Sequence, residues 1–143
     1  MSALFITRLM PAAIERVFAA CSQPELLSRW LACDENGGAT ATNEFRVGGR
    51  FRIDMKREGE FLGRTEGEYL EIVAPRRLVF TWSAPHVGVT TSVVTIELKA
   101  TGDEQTELRL THSVDPATEA GARHARGWTT ALANLNQFLE EHP

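Results

Sequence analysis

The chain carries only two cysteines, Cys21 and Cys33, in 143 residues. Neither has a Cys-x-x-Cys neighbour, so there is no disulfide framework and no paired-thiol metal site. No stretch approaches the roughly 20 apolar residues that a membrane-crossing helix needs. The opening Met1-Ser-Ala-Leu-Phe-Ile-Thr-Arg lacks a basic segment followed by a long apolar one and does not read as a signal peptide. These absences predict a cytoplasmic protein with reduced thiols and no membrane span. Basic charge is short as well. Fifteen Lys and Arg face 19 Asp and Glu, a net charge of −4, and they form no basic tract. A nucleic-acid partner is therefore not expected.

Recognisable chemical motifs are equally scarce. Val47-Gly-Gly-Arg-Phe51 lacks the Lys-Ser/Thr ending and the strand-to-helix setting of a phosphate loop, so its glycine pair is read as a bend entering a strand. No Gly-x-Ser-x-Gly elbow is present. Structural zinc takes four ligands in close pairs, which neither Cys33-Asp34-Glu35 nor the separated His112 and His124 supply. No metal and no cofactor are expected.

What the chain does have is an ordinary globular balance, 43% hydrophobic and 24% charged, which argues against disorder. Its length suits one domain over residues 1–143, large enough to bury a core without staples. Leu4 to Leu9 reads as a strand. Ile14, Val17, Phe18 and Cys21 recur at helical spacing, with Pro11 placed to open the helix. Ser22-Gln-Pro24-Glu25 resembles a capping box and predicts a second short helix burying Leu26, Leu27 and Trp30. The small polar run from Asp34 to Asn43 is read as loop.

Beyond it the period changes to two. Phe51, Ile53 and Met55 alternate with charged residues, the pattern of a strand with one wet face. Further strands are expected over 61–73, 78–82, 90–100 and 106–114, with Gly63 and Gly67 marking bulges or bends. Pro85-His-Val-Gly88 is read as a break. Asp115-Pro116 is placed to open a last helix whose one face carries His124, Trp128, Leu132, Leu135 and Leu139. One strand, two short helices, an antiparallel meander and a long helix define an α+β fold in which a curved sheet wraps the C-terminal helix.

The ordered set Pro11-Ala-Ala-Ile-Glu-Arg-Val-Phe, Pro24-Glu-Leu-Leu-Ser-Arg-Trp30, Val47-Gly-Gly-Arg-Phe51, Gly67-Glu-Tyr-Leu-Glu-Ile72, Pro75-Arg-Arg-Leu-Val-Phe-Thr-Trp82, Thr106-Glu-Leu-Arg-Leu-Thr-His112 and Gly127-Trp128 spans nearly the whole chain. It resembles the bacterial single-domain family related to the C-terminal domain of the activator of the ninety-kilodalton heat-shock protein ATPase, within the START-like (SRPBCC) superfamily. The resemblance implies the helix-grip fold. In one place the chain departs from it: Leu31 follows Trp30 where members often carry a second tryptophan, which alters one wall or the mouth of the expected cavity.

The residues expected to line a ligand cavity are Trp30, Phe51, Met55, Phe61, Phe80, Trp82, Val94, Leu110, His112, His124, Trp128 and Leu132. A sheet curved around one helix tends to leave space that side chains do not fill. His112 is the candidate catalytic residue, because an inward histidine can move a proton near neutral pH or bind a carbonyl. The plainer alternative is a histidine satisfied within the core. Asp54, Glu66 and Glu68 are candidate buried acids, against the alternative of a solvated outer face. His86 and His142 carry no signal, and Cys21 reads as a small apolar core residue.

Three functions are compatible with this reading. The first is a module binding a small hydrophobic or aromatic ligand between sheet and helix, without catalysis. The second is a polyketide cyclase- or dehydratase-like enzyme using His112 as a proton shuttle, which needs a second acid or base in reach of it. The third, drawn from the resemblance, is a partial co-chaperone whose partner is the heat-shock ATPase. A homodimer is compatible with all three.

Overall fold

A computed structural model describes residues 2–31 and 37–142. In chain order the elements are β1 (Leu4–Met10), α1 (Ile14–Ser22), α2 (Pro24–Trp30), β2 (Gly37–Asn43), β3 (Arg50–Arg57), β4 (Glu60–Val73) and β5 (Arg77–Ala84). A short 3₁₀ turn (Pro85–Val87), β6 (Val89–Gly102), β7 (Gln105–His112) and α3 (Glu119–Glu141) complete the chain. The strands form one curved, seven-stranded antiparallel sheet in the order β1-β7-β6-β5-β4-β3-β2. All three helices lie with the core, and α3 packs against α2 and β1. The fold is the expected helix grip.

The period-two strands bury alternate residues as the sequence pattern requires. Leu78, Phe80, Trp82 and Ala84 of β5 are buried in strict alternation, as are Thr106, Leu108, Leu110 and His112 of β7. Helix α3 supplies the facing stripe of His124, Trp128, Leu132, Leu135 and Leu139. Its leucines are almost fully buried, each worth about 2 kcal/mol in apolar surface removed from water. Thr118 caps α3 by accepting from the Gly121 amide, while Asp115 caps the preceding turn at Ala117. The helix therefore opens three residues later than Asp115-Pro116 suggests.

Other local expectations are corrected. Helix α1 opens after Ala13, so Pro11 stands outside it. The Ser22 hydroxyl donates back to the Phe18 carbonyl rather than capping α2, whose start rests on Pro24 in the first turn. Residues 37–43 are a strand, not a loop. They pair with β3 along their whole length, and the Ala41 amide is taken up by the Ser28 hydroxyl of α2. Cys33, Asp34 and Glu35 lie outside the described residues.

Two register shifts bend β4. Between Met55 and Lys56 of β3 the partners step from Gly63 to Phe61, which leaves Leu62 as the extra residue. A second shift falls between Tyr69 and Glu71. At Gly67 the Phe51 ring lies directly over the glycine, and an added Cβ would overlap both that ring and the Thr81 carbonyl. Gly67→Ala is therefore expected to lower stability by about 2–3 kcal/mol, the usual cost of overpacking a tight contact. A urea titration giving an unchanged midpoint would show that the sheet can yield there.

Candidate functional site

Between the first half of α3 and the β3–β4–β5 end of the sheet lies a cleft of about 300 Å³. Met55, Leu62 and Thr65 form its floor on the sheet, and Trp82 and Ala84 continue it along β5. His86 and Val87 of the 3₁₀ turn close one side, and Leu31 closes another. Arg123, His124, Gly127, Trp128 and Ala131 present one face of α3. The lining is overwhelmingly apolar.

Each wall has a local cause. The bulge at Leu62 reverses the phase of β4, so Leu62 lines the cleft and Phe61 turns out, 60% exposed. Phe61 is thus removed from the expected cavity set. Gly63 exists as glycine because the His86 ring sits on its Cα, where any Cβ would strike the imidazole. Gly88, in left-handed conformation at φ +84°, ends the turn that carries His86. Leu31 is buried, and its side chain forms one wall of the cleft.

The remaining expected lining residues divide into two groups. Trp30, Phe51 and Phe80 surround a second, apolar space of only about 20 Å³ with Trp82 and Trp128, room for about one water and no ligand. Phe51 packs on Tyr69 at 5.6 Å and on Phe80 at 5.3 Å between ring centroids, so this region is filled core. Val94, Leu110, Leu132 and His112 are fully buried behind it and do not reach the cleft. Of the twelve predicted residues, the structure brings Met55, Trp82, His124 and Trp128 together at the opening.

Two tryptophan–histidine pairs join sheet to helix. The Trp82 indole of β5 donates to Nε2 of His124 on α3 at 3.2 Å. His124 Nδ1–H then donates to the Ala120 carbonyl at 2.9 Å. In the opposite direction, the Trp128 indole of α3 donates to Nδ1 of His112 on β7 at 3.0 Å. That leaves the His112 proton on Nε2, facing the Ser92 hydroxyl at 2.8 Å, and Ser92 donates onward to the Trp82 carbonyl at 2.7 Å. Among the described residues no buried side-chain nitrogen or oxygen lacks a hydrogen-bond partner, and the Trp82 and Trp128 rings pack at 4.9 Å between centroids, tilted by 43°.

His112 is thus enclosed and held at both ring nitrogens. Burial, helped by neighbouring His124, pushes its pKa down to about 3. A second ring proton would also face the Trp128 N–H, donor against donor. The proton-shuttle role requires a histidine open to a substrate, and Trp82, His124 and Trp128 separate His112 from the cleft. The acid candidates fare no better as partners. Asp54 lies on the outer face, bonded to Arg64 at 2.7 Å, which holds its carboxyl below the usual range. Glu66 and Glu68 alternate outward between buried Thr65, Gly67 and Tyr69, with Glu68 near Arg50 at 3.9 Å.

Sequence reasoning missed His86, which it assigned to a featureless loop. Partial burial, and secondarily His124, lowers its pKa, opposed by a hydrogen bond to the Arg64 backbone. Only the pairing of a histidine after proline with a distant glycine could have signalled it, and sequence spacing does not carry that pairing. Arg123 at the rim was missed for the same reason. Among the described residues no cluster of three or more His, Cys, Asp or Glu is arranged to hold a metal ion.

The fold and the cleft at its sheet–helix junction place the protein in the START-like helix-grip class. The family described as activator of Hsp90 ATPase homolog 1-like protein matches residues 11–140, and the chain belongs to that family. Protein CV1439 from Chromobacterium violaceum is similar in structure at 23% identity and TM-score 0.84, covering 98% of this chain and 99% of its own. Protein MLL2253 from Mesorhizobium loti is similar at 25% identity and TM-score 0.81, covering 99% and 98%. PFC0360w, an HSP90 activator from Plasmodium falciparum, is similar at 26% identity and TM-score 0.77, covering 98% and 97%. No curated protein sequence matches the chain.

Proposed function

We propose that the protein binds a small hydrophobic or aromatic molecule in the cleft between the sheet and α3, and carries, senses or sequesters it without turnover. The observation that supports this most is an apolar space of about 300 Å³ walled by Trp82, Trp128, Met55 and Leu62. That volume stands at the lower end of ligand pockets, which run from roughly 300 to 1,000 Å³. An apolar cavity of roughly 150 Å³ already accepts benzene, so a two-ring molecule is the right scale. Contact with the indoles and exclusion of water would supply the affinity.

The reading takes residues 1–143 as one domain, because β1 pairs with β7 and α3 completes the same core. It also takes the protein as cytoplasmic, in keeping with the buried free thiol of Cys21. No described helix is long and apolar enough to cross a membrane. Native mass spectrometry of protein purified gently from its own cells tests the proposal. A reproducible excess mass that disappears on denaturation is expected. A bare polypeptide mass under both conditions would count against a resident ligand.

A second reading, stimulation of a heat-shock ATPase, draws on the family description and on the similar HSP90 activator. Phe5 and Leu9, 73% and 55% exposed on edge strand β1, are the apolar side chains it would use. They stand opposite Thr111 and Glu107 of β7, so the apolar surface is narrow. The same edge would serve a homodimer. Neither association is needed for the cleft to bind.

A further inference from the structure

The ionisable side chains lining the cleft, among the described residues, are Arg123, His86 and His124, and no carboxylate is among them. This basic lining stands out in a chain whose net charge is −4. Both ring nitrogens of His124 are committed, to Trp82 and to Ala120. Arg123 is differently placed. Its side chain is half exposed at the rim, and its guanidinium reaches Glu119 one helical turn earlier at 2.6 Å. Glu119 itself is 81% exposed, so this is a water-facing pair of the kind that contributes little and exchanges readily.

We infer that the ligand is an anion, a small aromatic or short acyl molecule ending in a carboxylate, and that Arg123 recognises that carboxylate by exchanging it for Glu119. The inference rests on the ligand-binding reading of the cleft. The apolar body lies against Trp82, Trp128 and Met55, where no polar group requires a partner. The carboxylate remains at the rim, where the guanidinium offers a planar pair of donors matched to its two oxygens. His86, on the 3₁₀ turn, flanks the same opening. Glu119 acts as the resident counter-ion that keeps Arg123 in place while the cleft is empty.

Calorimetric titration of the full chain with naphthoate and with its neutral analogue naphthylmethanol tests this. Wild-type protein should bind naphthoate about tenfold more tightly, the scale of one charge-assisted hydrogen-bond pair at a partly exposed site. Arg123→Met should abolish the preference by weakening naphthoate alone. Glu119→Gln should strengthen naphthoate severalfold and leave the alcohol unchanged, because it frees the guanidinium and removes a competing anion. Arg123 and Glu119 are surface residues, so matching thermal midpoints for the three proteins should accompany these results. Equal affinities in the wild type, or a preference that survives Arg123→Met, would overturn the inference while leaving the cleft intact as a binding site. Binding of neither probe would overturn the cleft reading and the inference together.

Discussion

Acidification from about pH 7 to about pH 5 is expected to remove about 2 kcal/mol of folding stability through His112 alone. The folded-state pKa of about 3 lies below the value near 6.5 that the side chain takes in the unfolded chain. Between those values the unfolded chain binds a proton that the folded protein cannot. Stability is therefore complete above about pH 6.5, falls by about 1.4 kcal/mol per pH unit as acid is added, and stops falling near the folded pKa. The depressed pKa of Asp54 contributes only at lower pH, since its stabilisation is lost below the ordinary range of an aspartate. Urea titrations across this pH range should show the slope, and His112→Gln should make it much shallower, with His86, whose pKa is also lowered, contributing to what remains. Glutamine keeps a donor and an acceptor but cannot titrate here. A slope of the same size in the variant would show that another group carries the acid sensitivity.

Leu31→Trp is expected to weaken binding of a two-ring aromatic probe by at least about tenfold while preserving the fold. Leu31 lines both the open cleft and the small filled space beside Trp30, so a larger indole at this position would enter the cleft. The added volume meets empty space rather than packed side chains, which distinguishes it from the overpacking expected at Gly67. The thermal midpoint should stay level or rise as probe affinity falls. Unchanged affinity would mean that the probe occupies some other surface. A collapsed thermal midpoint would mean that Leu31 is packed as tightly as the core behind it.

The fold was largely legible because its main elements follow simple periods. Alternation in β5 and β7, and the four–three–four spacing of Trp128, Leu132, Leu135 and Leu139, identified the sheet and the helix that it grips. Strand β2 was not legible. Gly37-Gly-Ala-Thr-Ala-Thr-Asn43 has neither bulk nor hydrophobicity, and it is held as an edge strand by β3 and by the Ser28 hydroxyl.

The site was legible only in part. Trp82, Trp128, Met55 and His124 could be placed by phase, since inward-facing residues near one end of their elements converge there. Phase cannot tell open space from filled core, and the rings of Trp30, Phe51 and Phe80 largely fill the space that it marks as cavity. Nor could it anticipate the bulge at Leu62 that turned Phe61 outward, or the seat that Gly63 makes for His86. The surroundings of His112 are fixed by two hydrogen-bond partners, Trp128 and Ser92, and by the Trp82 ring. These come from three different elements, and a single sequence does not pair them.

The central claim, that the cleft is a ligand site, is tested most directly by the indole N–H resonances of the three tryptophans. Trp82 and Trp128 line the cleft, whereas Trp30 lies outside it with its indole bonded to the Ala20 carbonyl at 2.8 Å. Titration with naphthoate should shift the Trp82 and Trp128 signals together and leave that of Trp30 nearly fixed. Three unmoved signals at saturating probe, or a shift confined to Trp30, would contradict the account.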